Sequence, residues 1–304
     1  MGSHIEKTDE IMPVCISSIN NVLDGIAGKV EYWDFSKGNS SYEARVAHVT
    51  QVASVCYQNP KGLLSISLFD RLQAESGGLP SSSYEFIPVL LDKHQAMQII
   101  TDYMSVHPEN DVPIIKFGTW LSNNNYLLTN LRALIEMVGP EVSLNYLNTS
   151  DEEIQIIHDN FKVFLFNVDL STRAQMVRHR VSWQELSRRY VSGTKAPFEF
   201  YTSKKLDNLV SYMQDNNRIT YSSTELSVST DDIIDICLNH YNSAIASGVK
   251  PEEARRILPQ AMMTQIWGAF QPSQLDNWFK LRLDKHAQSE IRMVAQAMQE
   301  LING

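Results

Sequence analysis

The chain has 304 residues, and its 26 Lys and Arg stand against 35 Asp and Glu, a formal net charge of −9. Its hydrophobic content of 43% is enough for a core in one or two domains, while the acidic balance disfavours a nucleic-acid polymer as the main ligand. No apolar run is long enough for a transmembrane helix. Cys15, Cys56 and Cys237 are odd in number, widely spaced and without a C-x-x-C pair, which points to a reducing, cytoplasmic setting, to no zinc site, and to buried small apolar roles for all three.

Met1–His4 read as an expression-tag remnant. Residues 5–42 mix short apolar pieces with Gly25, Gly28 and Gly38 and support no assignment. Val49, Val52, Val55 and Cys56 have helical spacing within Ser41–Gln58, and Gly62–Ala74 reads as a second helix before Gly77-Gly78-Leu79-Pro80 breaks the chain. Tyr84–Leu91 reads as a strand, with Pro88 confining it to an edge or a bulge. Residues 92–155 read as helical, with amphipathic patterns over His94–Met104 and Tyr126–Met137 and a loop at Asn123-Asn124-Asn125.

Phe161–Val168 alternates as a strand, and Asp169 or Ser171 can cap a helix after it. A polar stretch, 191–228, leads to a helix over Asp231–Ser247 that Gly248 ends. Pro251 opens a short helix with Glu252 and Glu253 in its first turn. Met263–Phe270 reads as a strand, followed by helices over Ser273–Leu283 and Lys285–Ile302. There are no internal repeats, and one α+β unit fits these elements.

Arg173–Tyr190 is a cationic island in this acidic chain: five arginines and one histidine face one acid, Glu185. Guanidinium groups fork onto phosphate oxygens, and the hydroxyl of Ser187 with the amides of Gln175 and Gln184 adds partners for a ribose or a base edge. Taken alone, the island reads equally as a solvated basic helix face. His48, His94, His107, His158 and His240 show no paired spacing and read as core or surface residues, so no metal site is expected. Met262 and Met263 read as packing residues.

Arg178-His179-Arg180 followed by S-W-Q-E-L-S-R-R-Y (182–190) resembles the signature of the flavin-dependent thymidylate synthases, the ThyX family. P-E-E-A-R-R-I-L-P (251–259) and L-R-L-D-K-H-A-Q-S-E-I-R (281–292), with Asn277 just before the second, resemble the family's second block. V-C-Y (55–57), L-F-D-R-L (68–72) and S-S-S-Y-E-F (81–86) look like a weakened N-terminal third, and W-L-S-N-N-N-Y-L-L-T-N-L-R-A-L (120–134) resembles an insertion seen in some members. The sequence departs from the family at several places. Six residues rather than seven separate Arg180 from Ser187, Gln184 stands for the usual Asn, Pro80 and Phe86 occupy histidine positions, and Gln271 and Ser273 replace Asn and Arg.

The resemblance implies a single α+β domain over 5–304, an antiparallel sheet flanked by helices with a helical insertion about 92–155. It implies C5 methylation of dUMP to dTMP, with methylenetetrahydrofolate as carbon donor and reducing equivalents from FAD and NADPH. Arg282 would be catalytic, stabilising charge on the pyrimidine. Gln175, Arg178, Glu185, Leu186, Ser187, Arg188, Arg189 and Arg255 would bind the nucleotide. Arg178, His179, Arg180, Glu185, Asn277, His286, Ser82, Glu85, Gln271 and Ser273 would face the flavin. The family forms homotetramers with shared active sites. The alternatives are a variant acting on UMP or leaving a hydroxymethyl group, and a relative that binds nucleotide without turnover.

Overall fold

A computed structural model describes residues 10–59, 62–74, 78–121, 124–193, 195–203, 206, 211–213 and 226–304, so Met1–His4 lie outside the described residues. The chain opens with a hairpin that its sequence did not reveal: β1 (Val14–Leu23) pairs antiparallel with β2 (Ala27–Asp34). β1 is exposed along most of its length and so lacks an apolar face that alternates. The signal that was present is Asp24-Gly25, a turn dipeptide whose residues take left-handed φ of 49° and 72°. Two expected helices follow, α1 (Tyr42–Tyr57), capped by the Ser41 side chain, and α2 (Ile66–Gln73), capped by Ser65.

The stretch read as a helical insertion is a small sheet with helices. Tyr84 lies in a single 3-10 turn, and the strand β3 (Pro88–Asp92) starts only at Pro88, where Pro sits on an edge as expected. After α3 (Lys93–Val106) and the short α4 (Pro113–Lys116) come β4 (Thr119–Leu121) and β5 (Tyr126–Asn130), then α5 (Leu131–Val138). The strand order is β3-β5-β4. Tyr126–Asn130 belongs to a strand because β5 is central: Leu127, Leu128, Thr129 and Asn130 are consecutively buried, and a run without period-2 alternation is easily taken for a helix. Gly118 permits the close approach of this unit's chain, since a Cβ there would lie 2.2 Å from the Ile114 carbonyl oxygen.

After α6 (Asp151–Asn160), β6 (Lys162–Asp169) and α7 (Leu170–Met176) run into β7 (Ser182–Glu185). A two-stranded ribbon, β8 (Ser211–Met213) with β9 (Leu226–Val228), precedes α8 (Thr230–Ala246) and α9 (Pro251–Ala254). β10 (Met263–Phe270), α10 (Pro272–Arg282) and α11 (Ser289–Asn303) close the chain. The main sheet has the order β1-β2-β6-β10-β7, every neighbouring pair antiparallel. α11 packs Ile291, Val294, Ala295 and Met298 on one face of it, with Phe164, Phe166 and Phe270. The other face, through Phe35, Val163 and Trp267, meets Leu90 and Leu128 of the smaller sheet. The architecture is the α+β class expected.

Arg45 of α1 is buried and has no carboxylate beside it among the described residues. Its guanidinium donates to Asn39 Oδ1 (2.8 Å) and to the hydroxyl and carbonyl oxygens of Ser143 (both 2.9 Å). Burial pushes its pKa down to about 10. Asn39 in turn donates to the Tyr146 carbonyl and to Asn148 (both 2.8 Å). Of the cysteines, Cys56 is buried, but Cys15 is exposed and Cys237 half-buried, because each lies on an outward face of β1 or α8.

Asp169 caps α7: its carboxylate accepts the amides of Ser171 (2.9 Å) and Thr172 (3.0 Å) and the Thr172 hydroxyl (2.6 Å). Asp169→Ala should therefore cost about 1–2 kcal/mol, read as a lowered urea midpoint at unchanged m-value. Asp169→Asn, which keeps an acceptor, should recover most of that loss.

Candidate functional site

The three strands β6, β10 and β7 have two ends, and the cationic island is divided between them. At one end Ser182 of β7 lies opposite Ala269 of β10. α7 runs back from Asp169 to this end and delivers Arg178-His179-Arg180 just before Ser182. At the other end Met263 of β10 lies opposite Asp169, and β7 leads out into Leu186-Ser187-Arg188-Arg189.

At the first end α10 supplies the facing wall. Trp278 is fully buried, and its ring packs against that of His179 at 4.8 Å between centroids. Arg282, one helical turn further on the same side, donates from Nε to His179 Nε2 (2.7 Å) and from Nη2 to the Gln175 carbonyl oxygen (3.0 Å). A guanidinium only donates, so His179 must be neutral with its lone pair on Nε2. Burial, and then the Arg282 charge, push the His179 pKa down to about 4. Burial, and then Arg178, lower that of Arg282. The acids near Arg282 in sequence are engaged elsewhere, Asp284 with His286 (2.9 Å) and Glu290 with the Ser289 hydroxyl (3.0 Å). Arg282 therefore carries a charge that no carboxylate among the described residues balances.

These groups surround a cavity of ≈ 390 Å³ lined by Arg178, His179, Arg180, Ser273, Asn277 and Arg282, together with Val181, Gln274 and Leu281. No acid lines it. Gln274 fixes the triplet by donating to the Arg180 carbonyl oxygen at 2.9 Å. Arg180 and Ser273 also line an adjoining cavity of ≈ 430 Å³, with Glu85, Lys116, Phe117 and Gln271. Gln271 is buried there. Its amide donates to the Phe117 carbonyl (2.8 Å) and accepts from the Thr119 hydroxyl (2.5 Å), so this side chain is committed to holding the smaller sheet's chain. Glu85 pairs with Arg132 (2.6 Å), and the Ser82 hydroxyl bonds to Gln184.

At the second end, Glu185 pairs with Arg173 and accepts the Thr264 hydroxyl (3.2 Å). Leu186 is buried, and the Ser187 amide donates to the Cys56 carbonyl at 3.1 Å. Arg188 is buried, donates to the Ala196 carbonyl (2.7 Å), lies 4.5 Å from the Phe198 ring centroid, and has its pKa lowered by burial. It lines a cavity of ≈ 260 Å³ with Leu186, Lys195, Thr264 and Gln265. Arg189 is exposed and reaches Glu252 at 3.8 Å; Arg255, also exposed, follows Glu252 by one helical turn.

The expected flavin-facing residues Arg178, His179, Arg180, Asn277 and Ser273 thus share one cavity with Arg282. Glu85 and Gln271 border the next one. His286 stands apart at the surface, as does the Gln175 side chain, which bonds to Gln288. Sequence reasoning counted Arg173 in the island without giving it a partner, and it read the tryptophans as packing residues, as the fully buried Trp278 is. It did not single out Lys116 or Phe117, which border the second cavity, and nothing in I-I-K-F-G marks them. Among the described residues no cluster of His, Cys, Asp and Glu is suited to a metal ion, and no helix is long and apolar enough to cross a membrane.

The family model described as Thymidylate synthase complementing protein matches residues 143–304. The chain belongs to this family. Its relatives include the flavin-dependent thymidylate synthase of Aquifex aeolicus strain VF5, 32% identical over 149 residues, 47% of this chain and 45% of the relative. That of Wolbachia pipientis wMel is 34% identical over 136 residues, 42% of this chain and 46% of the relative. The chain spans about half the length of the curated relatives it matches. Among solved structures, a UMP/dUMP methylase, PolB from Streptomyces cacaoi bound with 5-Br UMP, aligns at 24% identity with a TM-score of 0.35, covering 47% of this chain and 68% of that one. The acid-free cavity and the Arg188 pocket both fall largely in the matched family region; Glu85, Lys116 and Phe117 lie before it.

His179 and the fully buried His48, whose pKa burial also lowers to about 4, both favour the neutral form in the folded state. The unfolded chain binds those protons near pH 6.5, so stability is whole above that value and is lost as pH falls toward about 4. Urea melts at pH 7 and pH 4.5 should show this loss, and His179→Asn should make the dependence shallower by removing one of the two contributions.

Proposed function

We propose that this chain catalyses flavin-dependent C5 methylation of a uridine monophosphate nucleotide, dUMP to dTMP, with methylenetetrahydrofolate as carbon donor and NADPH as reductant of FAD. The observation that carries this reading is the cavity where Arg178, Arg180 and Arg282 converge without an acid in a chain of net charge −9. Such a lining selects an anion with hydrogen-bonding edges. Arginines for phosphate oxygens and the Asn277 amide for a heterocycle edge fit a flavin nucleotide, which when bound would supply the reducing equivalents.

The chain's own part is electrostatic. Uracil C5 becomes nucleophilic as negative charge gathers at N3 and O2, and a fixed guanidinium stabilises that charge without reorganising. Arg282 suits the task because His179 and the Gln175 carbonyl occupy its Nε and one Nη proton, orienting the fork. Neutral His179 positions Arg282 without cancelling its charge. Glu185, Leu186 and Ser187 would seat the nucleotide, and Arg189 and Arg255, which flank Glu252, would hold its phosphate. Arg188, bonded to backbone carbonyls, would support that loop from beneath.

The nucleotide residues of one chain lie at both ends of the β6–β10–β7 ribbon. A single ligand using both sets is accommodated when copies of the chain contribute one set each, which favours a homo-oligomer with shared sites, a homotetramer by the family resemblance. Light scattering at micromolar concentration should give four times the chain mass, and a monomer would overturn this part of the reading.

For the chemistry, tritium release from C5-labelled dUMP and UMP measures turnover and the sugar preference together. Arg282→Lys keeps the charge but loses the fork. It should retain flavin and lose turnover on the order of 100-fold. Near-normal turnover in that variant would remove Arg282 from the mechanism, and absence of tritium release from either nucleotide in the wild type would overturn the methylation reading.

A further inference from the structure

The chain before residue 143 brings two side chains to the site that no comparison assigns. The ≈ 430 Å³ cavity joins the acid-free cavity through Arg180 and Ser273, and it joins a third cavity of ≈ 410 Å³ through Glu85, Lys116, Phe117 and Asn130. The three form one groove. Each alone has the size of a small-molecule pocket, roughly 300–1,000 Å³, so together they suit an elongated ligand. Lys116 and Phe117 stand at the junction of the last two.

The placement of this pair is built rather than incidental. Gln271, at the start of α10, grips the Phe117 carbonyl (2.8 Å) and the Thr119 hydroxyl (2.5 Å), tying the segment to the site helix. Gly118 lets the same segment press against Ile114 and Leu127, where a Cβ would meet atoms at 2.2 and 3.0 Å. Phe117 nevertheless remains 46% exposed, a large ring held at a cavity wall instead of in the core. Lys116 Nζ lies 5.8 Å from the centre of that ring and bonds to Asp111 (2.8 Å), a partner that is itself largely exposed and leaves two ammonium protons for a ligand. The third cavity is also lined by Asp111, Glu85 and Glu136, the last two both paired with Arg132 (2.6 and 3.1 Å), so an anionic group of the ligand is placed on the Arg180 side of Lys116.

We infer that Lys116 and Phe117 are ligand-contacting residues of the flavin site, the ring stacking on a planar heterocycle and the ammonium pairing with the ligand's anionic part. This rests on the flavin reading above. It assigns to the small β3-β5-β4 unit a role in choosing the ligand that the family-matched region does not supply.

Quenching of flavin fluorescence on titration with the full chain gives the dissociation constant without requiring turnover. Phe117→Ala should weaken FAD about tenfold, the scale of one lost aromatic stack. Lys116→Ala should weaken it about threefold or more at low salt, and less at high salt, as screening removes the pairing. Lys93→Ala, an exposed lysine of the same unit outside the groove, should change nothing. Both test residues are exposed, so circular dichroism should show unchanged folding. If Arg178→Ala abolishes flavin binding while Lys116→Ala and Phe117→Ala keep the wild-type constant within twofold, the inference falls and the flavin reading stands. If the wild type binds neither FAD nor FMN, both fall. If the two variants weaken a reduced folate, titrated in parallel, but not FAD, the wall serves the carbon donor and the flavin assignment of these residues is overturned.

Discussion

Everything at the site depends on β10 lying between β6 and β7. That pairing fixes three chain ends at once. The end of β6 launches α7, the start of β7 receives the Arg178-His179-Arg180 triplet, and the end of β10 launches α10 through Gln271. Had β7 paired one residue out of register, its alternate faces would exchange, and Glu185 would turn away from Thr264. The aromatic cluster of half-buried Trp183 with buried Phe270 and Trp278 opposes such a slip, with T-shaped contacts of Phe270 to both tryptophans at 5.7 and 5.6 Å.

Within that frame the electrostatics work by omission. Arg178 and Arg282 repel each other, and burial disfavours the charge on Arg282, so both effects raise the cost of the arrangement. A carboxylate would relieve it, yet the nearby acids are bonded to His286 and Ser289. What holds Arg282 is a neutral imidazole and a backbone carbonyl, which accept hydrogen bonds without offsetting the charge. Glu185 at the other end shows the contrast, since its charge is matched by Arg173.

The sequence made much of this readable. The strands β6 and β10, the helices α1, α8, α10 and α11, and the Asp169 cap follow from period and capping chemistry, and the triplet with Arg282 was recognisable as a motif. Other parts could not be read for physical reasons. β1 is an edge strand exposed along most of its length and bulged in its pairing with β2, so it lacks a regular alternation to detect. β5 is buried on both faces, so its pattern imitates a helix. Tertiary contacts also gave Gln271 a partner in Phe117 and Thr119, more than 150 positions away, and local spacing carries no trace of that. The same contact places Lys116 and Phe117 beside the cavity that Gln271 borders.

The network around Arg45 crosses residue 143, where the matched family region begins, without a break in the molecule. Arg45 and Asn39 stand on one side of that line, and Ser143, Tyr146 and Asn148 on the other. Two of the acceptors on the later side, the carbonyls of Ser143 and Tyr146, are main-chain atoms. No substitution can delete a main-chain carbonyl. The seam at residue 143 is thus written partly in main-chain acceptors that no substitution on the later side removes, whereas on the earlier side it depends on the side-chain donors of Arg45 and Asn39.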